Sequence, residues 1–394
     1  MKDIILHLIT TFLVFSYPQI EKASLVLNSI SLERDSLMIG YGTAYVLSMN
    51  VDPESSYNLL DLKWVSSDER IVAVDEDGFL SAVGHGSATI TVAASTSDTT
   101  CTDSCFVLVY PVPVRIPDTG FRSYCLSFAD SNADYLLTSD ELAVIDRITV
   151  SDRGVKSLEG LQYFTALESL VCYNNLLTSL DVRGNRALKM ILCAGNELNA
   201  LDLSHNPVLE YIDCSNNKLE NLSVSDNKSL LLVICANNEL TSLDVSRNIG
   251  LEYLDCSKNH LKSLDVTGNR ALTVLNCSDN ELAALNLNNN SKLLMLGCGF
   301  NRLTGLDVSG NVLLENLNCQ SNMLDFLDLS RSKSLLRLHC ANNQLTTLDL
   351  SAWPGSQCQF LDCTNNQWLF ELWLRKGQDT SLYSMDEHTE VMYR

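Results

Sequence analysis

The sequence predicts a mainly β chain: a β-sandwich, a short helical cap, then a long solenoid of stacked parallel strands. Three observations carry this. Nine cysteines fall at a strict interval of 21 residues, Cys172, Cys193, Cys214, Cys235, Cys256, Cys277, Cys298, Cys319 and Cys340, and Cys363 follows after 23. A fixed period sustained over such a length means coils that bury their apolar edges only by stacking on one another. Residues 25–111 hold short alternating segments separated by turn residues, the pattern of a sandwich. Between the two, a proline-marked stretch carries two short helical patterns around an acidic loop.

Composition narrows the partners. The 394 residues carry a net charge of −21. Such a chain repels nucleic acid, whose phosphates need clustered Lys and Arg, and gains nothing from anionic lipid. Protein, glycan or cation partners fit better. Residues 1–23 read as a signal peptide. Met1-Lys2 precedes an apolar run from Ile4 to Phe15, interrupted by His7, of signal-sequence length and too short to span a bilayer. No later segment is apolar for long enough to span. Export to the cell surface or medium is therefore expected.

In residues 24–111, Ser24–Asn28, Tyr45–Val51, Ile71–Val74, Ala88–Ala93 and Phe106–Tyr110 read as strands, with Pro53, Asp77-Gly78 and Gly84/Gly86 as turn chemistry. The run Trp64-Val65-Ser66-Ser67-Asp68, then Ile71-Val72-Ala73-Val74-Asp75, Gly78 and Ala82-Val83-Gly84-His85-Gly86-Ser87-Ala88-Thr89-Ile90-Thr91-Val92 resembles the bacterial Ig-like domain of group 2. The resemblance implies Trp64 as core tryptophan and a spacer or adhesive module on an exported bacterial protein.

Residues 112–160 read as linker and solenoid cap, with helices at Phe121–Phe128 and Ser139–Arg147. Between them Asp130, Asn132, Asp134, Leu136, Thr138 and Glu141 occupy loop positions 1, 3, 5, 7, 9 and 12. This is the oxygen spacing with which an EF-hand wraps Ca²⁺, Leu136 offering its carbonyl. Tyr135 replaces the usual Gly at position 6 and would need φ > 0. A structural calcium clip and a degenerate loop are both open; no other cofactor is expected.

Residues 161–375 repeat L-x-x-L-x-C-x-x-N-x-L-x-x-L-D-V-S-x-N-x-x, as in Leu209-Glu210-Tyr211-Ile212-Asp213-Cys214-Ser215-Asn216-Asn217-Lys218-Leu219. This resembles the leucine-rich repeat, in a short bacterial subclass with Cys in the third apolar slot. The chain thus reads as an Ig-like β-sandwich followed by a leucine-rich-repeat parallel-β solenoid with a short helical N-terminal cap. Leu372-Trp373-Leu374 breaks the pattern, so residues 376–394 are expected to form a C-terminal cap.

Period decides which residues face in. Leu167, Leu170, Cys172 and their equivalents should point inward from one strand per coil. The Asn three after each Cys, from Asn175 to Asn366, should pair backbone groups between coils. The row Asp181, Asp202, Asp244, Asp265, Asp307, Asp328 and Asp349 should face out, accepting bonds from a neighbouring turn or, less simply, holding cations. The cysteines lie in a line, which suits neither a zinc tetrahedron nor disulfides, and Cys packs as a small buried hydrophobe. Cys358 occupies a leucine slot and Cys105 an inward strand position. Cys101 and Cys125 are left over, with a bridge from Cys101 to Cys105 or to Cys125 possible.

No catalytic constellation appears: six histidines are scattered, and Gly84–Gly86 is a turn, not a phosphate loop. An enzyme is not expected. Specificity should lie on the concave face, at positions flanking each cysteine. The early coils place apolar and aromatic residues there and the later coils polar ones. Val171, Tyr173, Met190, Leu192, Tyr211, Asp213, Leu232, Ile234, Tyr253, Asp255, Met295 and His339 are the candidate partner-binding residues. The expected function is non-catalytic protein binding or adhesion. The alternative is a glycan or cell-wall binding module, with Tyr173, Tyr211 and Tyr253 as sugar platforms.

Overall fold

A computed structural model describes residues 26–353, 359–378 and 380–394. The signal-peptide region and Cys358 lie outside them. The chain divides into two compact units, one ending at Val112 and one running Pro113–Arg394.

The first unit is built from period-2 strands. Gly86–Ser95 buries Ala88, Ile90, Val92 and Ala94 and turns the residues between them outward. This strand pairs antiparallel with Asp61–Ser66 and with Thr100–Tyr110, which in turn runs parallel to Ser36–Gly40. Ala44–Val46, Phe79–Ala82 and Val72–Val74 form a second sheet, and Ser29–Leu32 pairs with Met49–Asp52. Leu47, Val72, Leu80, Ile90 and Val107 fill the core, each contributing roughly 1.5–3 kcal/mol by burial.

Several local expectations need correction. The single strand expected at Tyr45–Val51 is two strands broken at Leu47, whose side chain turns into the core. Ser29, not Asn28 or earlier, opens the first described strand. Trp64 is only half-buried: it lies over Gly78, where an added Cβ would meet its ring at 2.8 Å. Gly78 also has φ +79, so it is required twice over. Cys101 and Cys105 are free and share one strand. Four residues of strand put them roughly 13 Å apart, too far for a bridge. Cys125 is also free, buried among the core residues of the second unit.

In the second unit, helix α1 (Thr119–Ala129) is capped by Asp118, whose Oδ1 accepts from the Phe121 N–H at 2.9 Å. Asp118 Oδ2 accepts from the N–H groups of Lys156 and Ser157 as well. Helix α2 (Ser139–Ala143) starts with a capping box between Thr138 and Glu141. It stops short of the expected Arg147, because Arg147–Thr149 is already the first strand of the solenoid.

From there a twelve-stranded parallel sheet runs in register to Tyr383–Ser384. Each coil's strand, such as Met190–Leu192 or Tyr253–Asp255, occupies the three residues before its cysteine rather than straddling it. The segment expected as the C-terminal cap is itself made of strands: Tyr383–Ser384 adds to this sheet, while Glu390–Tyr393 joins Glu371–Leu374 and Thr347–Asp349 in a second parallel ladder. A coil needs only backbone pairing to continue, so loss of the consensus at Trp373 does not end it.

One continuous core fills the coils. In a typical one, Leu188, Ile191, Cys193, Leu198, Leu201 and Leu203 are all buried. The asparagine ladder stitches coils together: Asn196 Nδ2 donates to the carbonyls of Cys172 and Cys193, both at 3.0 Å, and Oδ1 accepts from the Leu177 N–H at 3.1 Å. Before each ladder Asn sits a left-handed residue, from Asn174 (φ 53) through Gly195 (φ 65) and Phe300 (φ 53) to Asn365 (φ 56). A second ladder went unread in the sequence. Asn206 Nδ2, for instance, donates to the carbonyls of Val182 and Asn185 at 3.1 and 2.9 Å. Asn185, Asn227, Asn248, Asn269, Asn290 and Asn311 repeat the arrangement, with Ser332 following in the same slot.

The outward aspartates cap their own turns, not a neighbour's. Asp202 Oδ1 accepts from Ser204 N–H at 3.0 Å and Ser204 Oγ at 2.7 Å, and Asp265 does the same with Thr267. These bonds hold both carboxyls below their ordinary range.

Candidate functional site

The candidate residues lie on or beside the strands of the parallel sheet, and its register sorts them into rows. Met190, Tyr211, Leu232 and Tyr253 stand in one row; Val171, Leu192, Asp213, Ile234 and Asp255 stand in another. Neighbours within a row are one strand spacing apart, about 4.8 Å. Val171, Met190, Leu192, Leu232 and Ile234 are half-buried, whereas Tyr173 and Tyr211 are each 38% exposed. Asp213 and Asp255 are tied down. Asp213 Oδ1 accepts from Ser215 N–H and Oγ at 2.9 and 2.7 Å, and Asp255 Oδ1 from Ser257 at 3.0 and 2.6 Å. Burial, and then the carboxylates of Asp255 and Asp213, pushes the Tyr253 phenol up.

Farther along, the face dips. A depression of about 460 Å³ is lined by Tyr253, Asn276, Met295, Gly297, Asn316, Asn318, Arg337 and His339 among others. The structure therefore gathers Tyr253, Met295 and His339 of the candidate set at one place. The His339 ring stacks on Phe360, with centroids 4.3 Å apart and planes 28° apart. Gly297, Asn276, Asn318 and Arg337 were not among the chosen residues. The available signal was Cys298, the one ladder cysteine with glycine on both sides.

At the other end of the unit, the acidic loop keeps an EF-hand outline. Tyr135 takes φ 64, as its position requires. Its oxygens, however, serve the loop itself. Asp130 accepts from the N–H groups of Asp134 and Tyr135, Asn132 from that of Asp134, and Asp134 from that of Leu136. Glu141 accepts from Ser131 N–H and Oγ with one oxygen, and from Thr138 N–H and Oγ1 with the other. Burial raises the Glu141 pKa, but these bonds outweigh it and leave the group below its ordinary value.

Comparison with known proteins agrees with this architecture. Residues 26–102 match the family model of the bacterial Ig-like domain (group 2). The chain is also similar in structure to the functional domain of InlJ from Listeria monocytogenes, which includes a cysteine ladder. Identity is 29%, the TM-score is 0.55, and the match covers 70% of this chain and 70% of that one. The chain carries an N-terminal bacterial Ig-like domain, and its 21-residue solenoid is similar to those of leucine-rich-repeat proteins. A leucine-rich-repeat protein of Leptospira interrogans shares the fold at 22% identity and a TM-score of 0.50, over 52% of this chain and 57% of that one. No curated protein matches the chain.

Within the solenoid the cysteine column is packing material. The ten column cysteines, nine at the 21-residue interval from Cys172 to Cys340 and then Cys363, are fully buried and free. Burial pushes the Cys214, Cys277 and Cys319 thiols up to about 12. The nucleophilic thiolate is thereby suppressed at neutral pH. Among the described residues no helix is long and apolar enough to cross a membrane.

Proposed function

We propose that this is an exported, non-catalytic binding protein of the bacterial surface that captures a protein partner on the concave face of its solenoid. The Ig-like domain serves as spacer, and α1 and α2 seal the N-terminal end of the coils. One observation carries the reading: the apolar row Met190–Tyr211–Leu232 and, beside it, Val171, Leu192 and Ile234, with Asp213 between the last two, on a sheet of fixed register. Apolar area of this kind marks partner surfaces. The C-terminal strands extend the two ladders instead of folding back over it. The likenesses to leucine-rich-repeat proteins support a binding role, and no catalytic family is indicated.

Leu192→Asp combined with Ile234→Asp is expected to abolish capture of the partner from extracts of host or neighbouring cells, with the melting temperature retained. Capture that survives these charges would count against the concave face. The exposed rings of Tyr173 and Tyr211 favour a second reading, a glycan or cell-wall platform. Binding on a glycan array that disappears with Tyr211→Ala and Tyr253→Ala would establish it instead.

For the acidic loop we propose that hydrogen bonds, not calcium, set its shape, since a bidentate Glu141 would have to release four donors. Chelator and millimolar CaCl₂ are both expected to shift the melting temperature by less than ~1 °C. A rise of several degrees with calcium would restore the metal clip.

A further inference from the structure

The depression at Gly297 has an uneven supply of polar groups. The glycine lacks the side chain that its neighbours carry immediately before their cysteines, and register sets Asn276 and Asn318 on either side of the gap, two strand spacings or roughly 10 Å apart. A Cβ on Gly297 would come within 2.7 Å of Asn276 Oδ1, so no side chain fits at this position without displacing that amide, and the depression stays open above it. Asn276 is already engaged: its Nδ2 donates to Asp255 Oδ2 at 3.2 Å, and its Oδ1 accepts from the Ser278 N–H at 3.3 Å. Asn318 differs. Its Oδ1 accepts from the Gln320 N–H at 3.2 Å, while its Nδ2 has no acceptor among the described residues. Arg337, one strand further on and exposed, forms no ion pair among the described residues, in a chain whose net charge is −21. Lys258 and Asp279, one of each charge, also line the depression, so Arg337 decides the sign of its lining. The depression therefore offers the Asn318 amide N–H and a guanidinium that have no acceptor among the described residues.

We infer that the Gly297 depression receives a carboxylate side chain, Glu or Asp, of the protein partner, and this rests on the concave-face reading above. The Arg337 guanidinium forms the charge-assisted pair, for which its planar fork is suited. Asn318 Nδ2 donates a second bond to the same carboxylate, and the missing Gly297 side chain gives it room. Within one row Leu232, Tyr253, Val274 and Met295 lead in register to Asn316 and Arg337, with Phe360 beyond them. One ligand lying from Leu232 to Arg337 would pass apolar surface before reaching the cation. A protein surface with an acidic residue beside apolar ones has that composition.

The test uses the intact chain and two random peptide libraries that differ only in a fixed central residue, Glu or Gln. The Glu library is expected to bind roughly tenfold better, as a charge-assisted bond against a neutral one allows. Arg337→Gln should erase the preference at an unchanged melting temperature, since Arg337 is exposed. Gly297→Leu should erase it by filling the space. Equal binding of the two libraries, or a Glu preference that survives Arg337→Gln, would overturn the inference. So would binding of a glucuronate oligosaccharide in place of either library. If Leu192→Asp with Ile234→Asp abolishes partner capture while the libraries bind equally, the concave-face reading stands and only the carboxylate site falls.

Discussion

Between about pH 9 and pH 10 the solenoid is expected to unfold cooperatively, driven by its own cysteines. The ten column thiols are fully buried. Burial, which strips water from the thiolate, raises every one of them above the ordinary 9.0. Cys172, Cys214, Cys277, Cys319 and Cys363 are pushed up to about 12, and Cys193, Cys235, Cys256, Cys298 and Cys340 are pushed well above 9.0. A group with a raised folded pKa adds nothing to the pH dependence while both states hold the proton. Once the pH exceeds the unfolded value, the unfolded chain releases protons that the folded chain keeps. Stability then falls by about 1.4 kcal/mol per pH unit for each thiol, up to the folded pKa. Ten thiols acting together make that about 14 kcal/mol per unit, against a total stability of roughly 5–15 kcal/mol for a typical domain. Far-UV circular dichroism followed against pH, with reductant present, would check this. Replacing Cys256 and Cys277 with Ala should soften the slope by about 2.8 kcal/mol per unit. A solenoid that stays folded to strongly alkaline pH, or a slope indifferent to those replacements, would show that the column does not control alkaline stability.

The cysteine period was enough to read most of the solenoid, because one measured interval fixes the direction of every other residue in the coil. Leu188, Ile191, Cys193 and Asn196 could be placed from the sequence for that reason. What stayed hidden depends on neighbours in space. Asn206 and its equivalents look like surface turn residues, and only the stacking of coils turns their amides inward. Gly297 reads as a weak strand residue until Asn276 and Asn318 are set on either side of it. Glu141 satisfies two patterns at once, the twelfth position of a metal loop and the third residue of a capped helix, and its hydrogen bonds follow the second. The Ig-like unit was harder. Its strands Ser36–Gly40, Asp61–Ser66 and Phe79–Ala82 were passed over because short strands packed on one side give only two or three matches to an alternating pattern. At Trp64 the resemblance suggested a core position, and the ring does pack against the core over Gly78, but it stays half-buried.

The two asparagine ladders should differ sharply in what they contribute, although both are buried and periodic. Asn259→Ala is expected to cost about 3–5 kcal/mol and Asn269→Ala about 1–2 kcal/mol. Asn259 Nδ2 donates to the carbonyls of Cys235, Cys256 and Ser257 at 3.0–3.1 Å, and its Oδ1 accepts from the Leu240 N–H at 3.0 Å. Alanine would leave that N–H and those carbonyls without their partner inside the solenoid, where water does not replace it. Asn269 Nδ2 donates to Val245 and Asn248 at 3.0 and 2.9 Å, but its own Oδ1 is buried with no partner among the described residues. Removing Asn269 therefore also removes an oxygen whose burial is itself costly, and the two effects partly offset. Urea unfolding of the single variants would decide it. Because each coil touches only its neighbours, Asn259→Ala, placed mid-array, should also lower the m-value by letting the two halves unfold separately. Equal costs at the two sites would mean that backbone pairing alone holds adjacent coils together, with the ladders merely filling space.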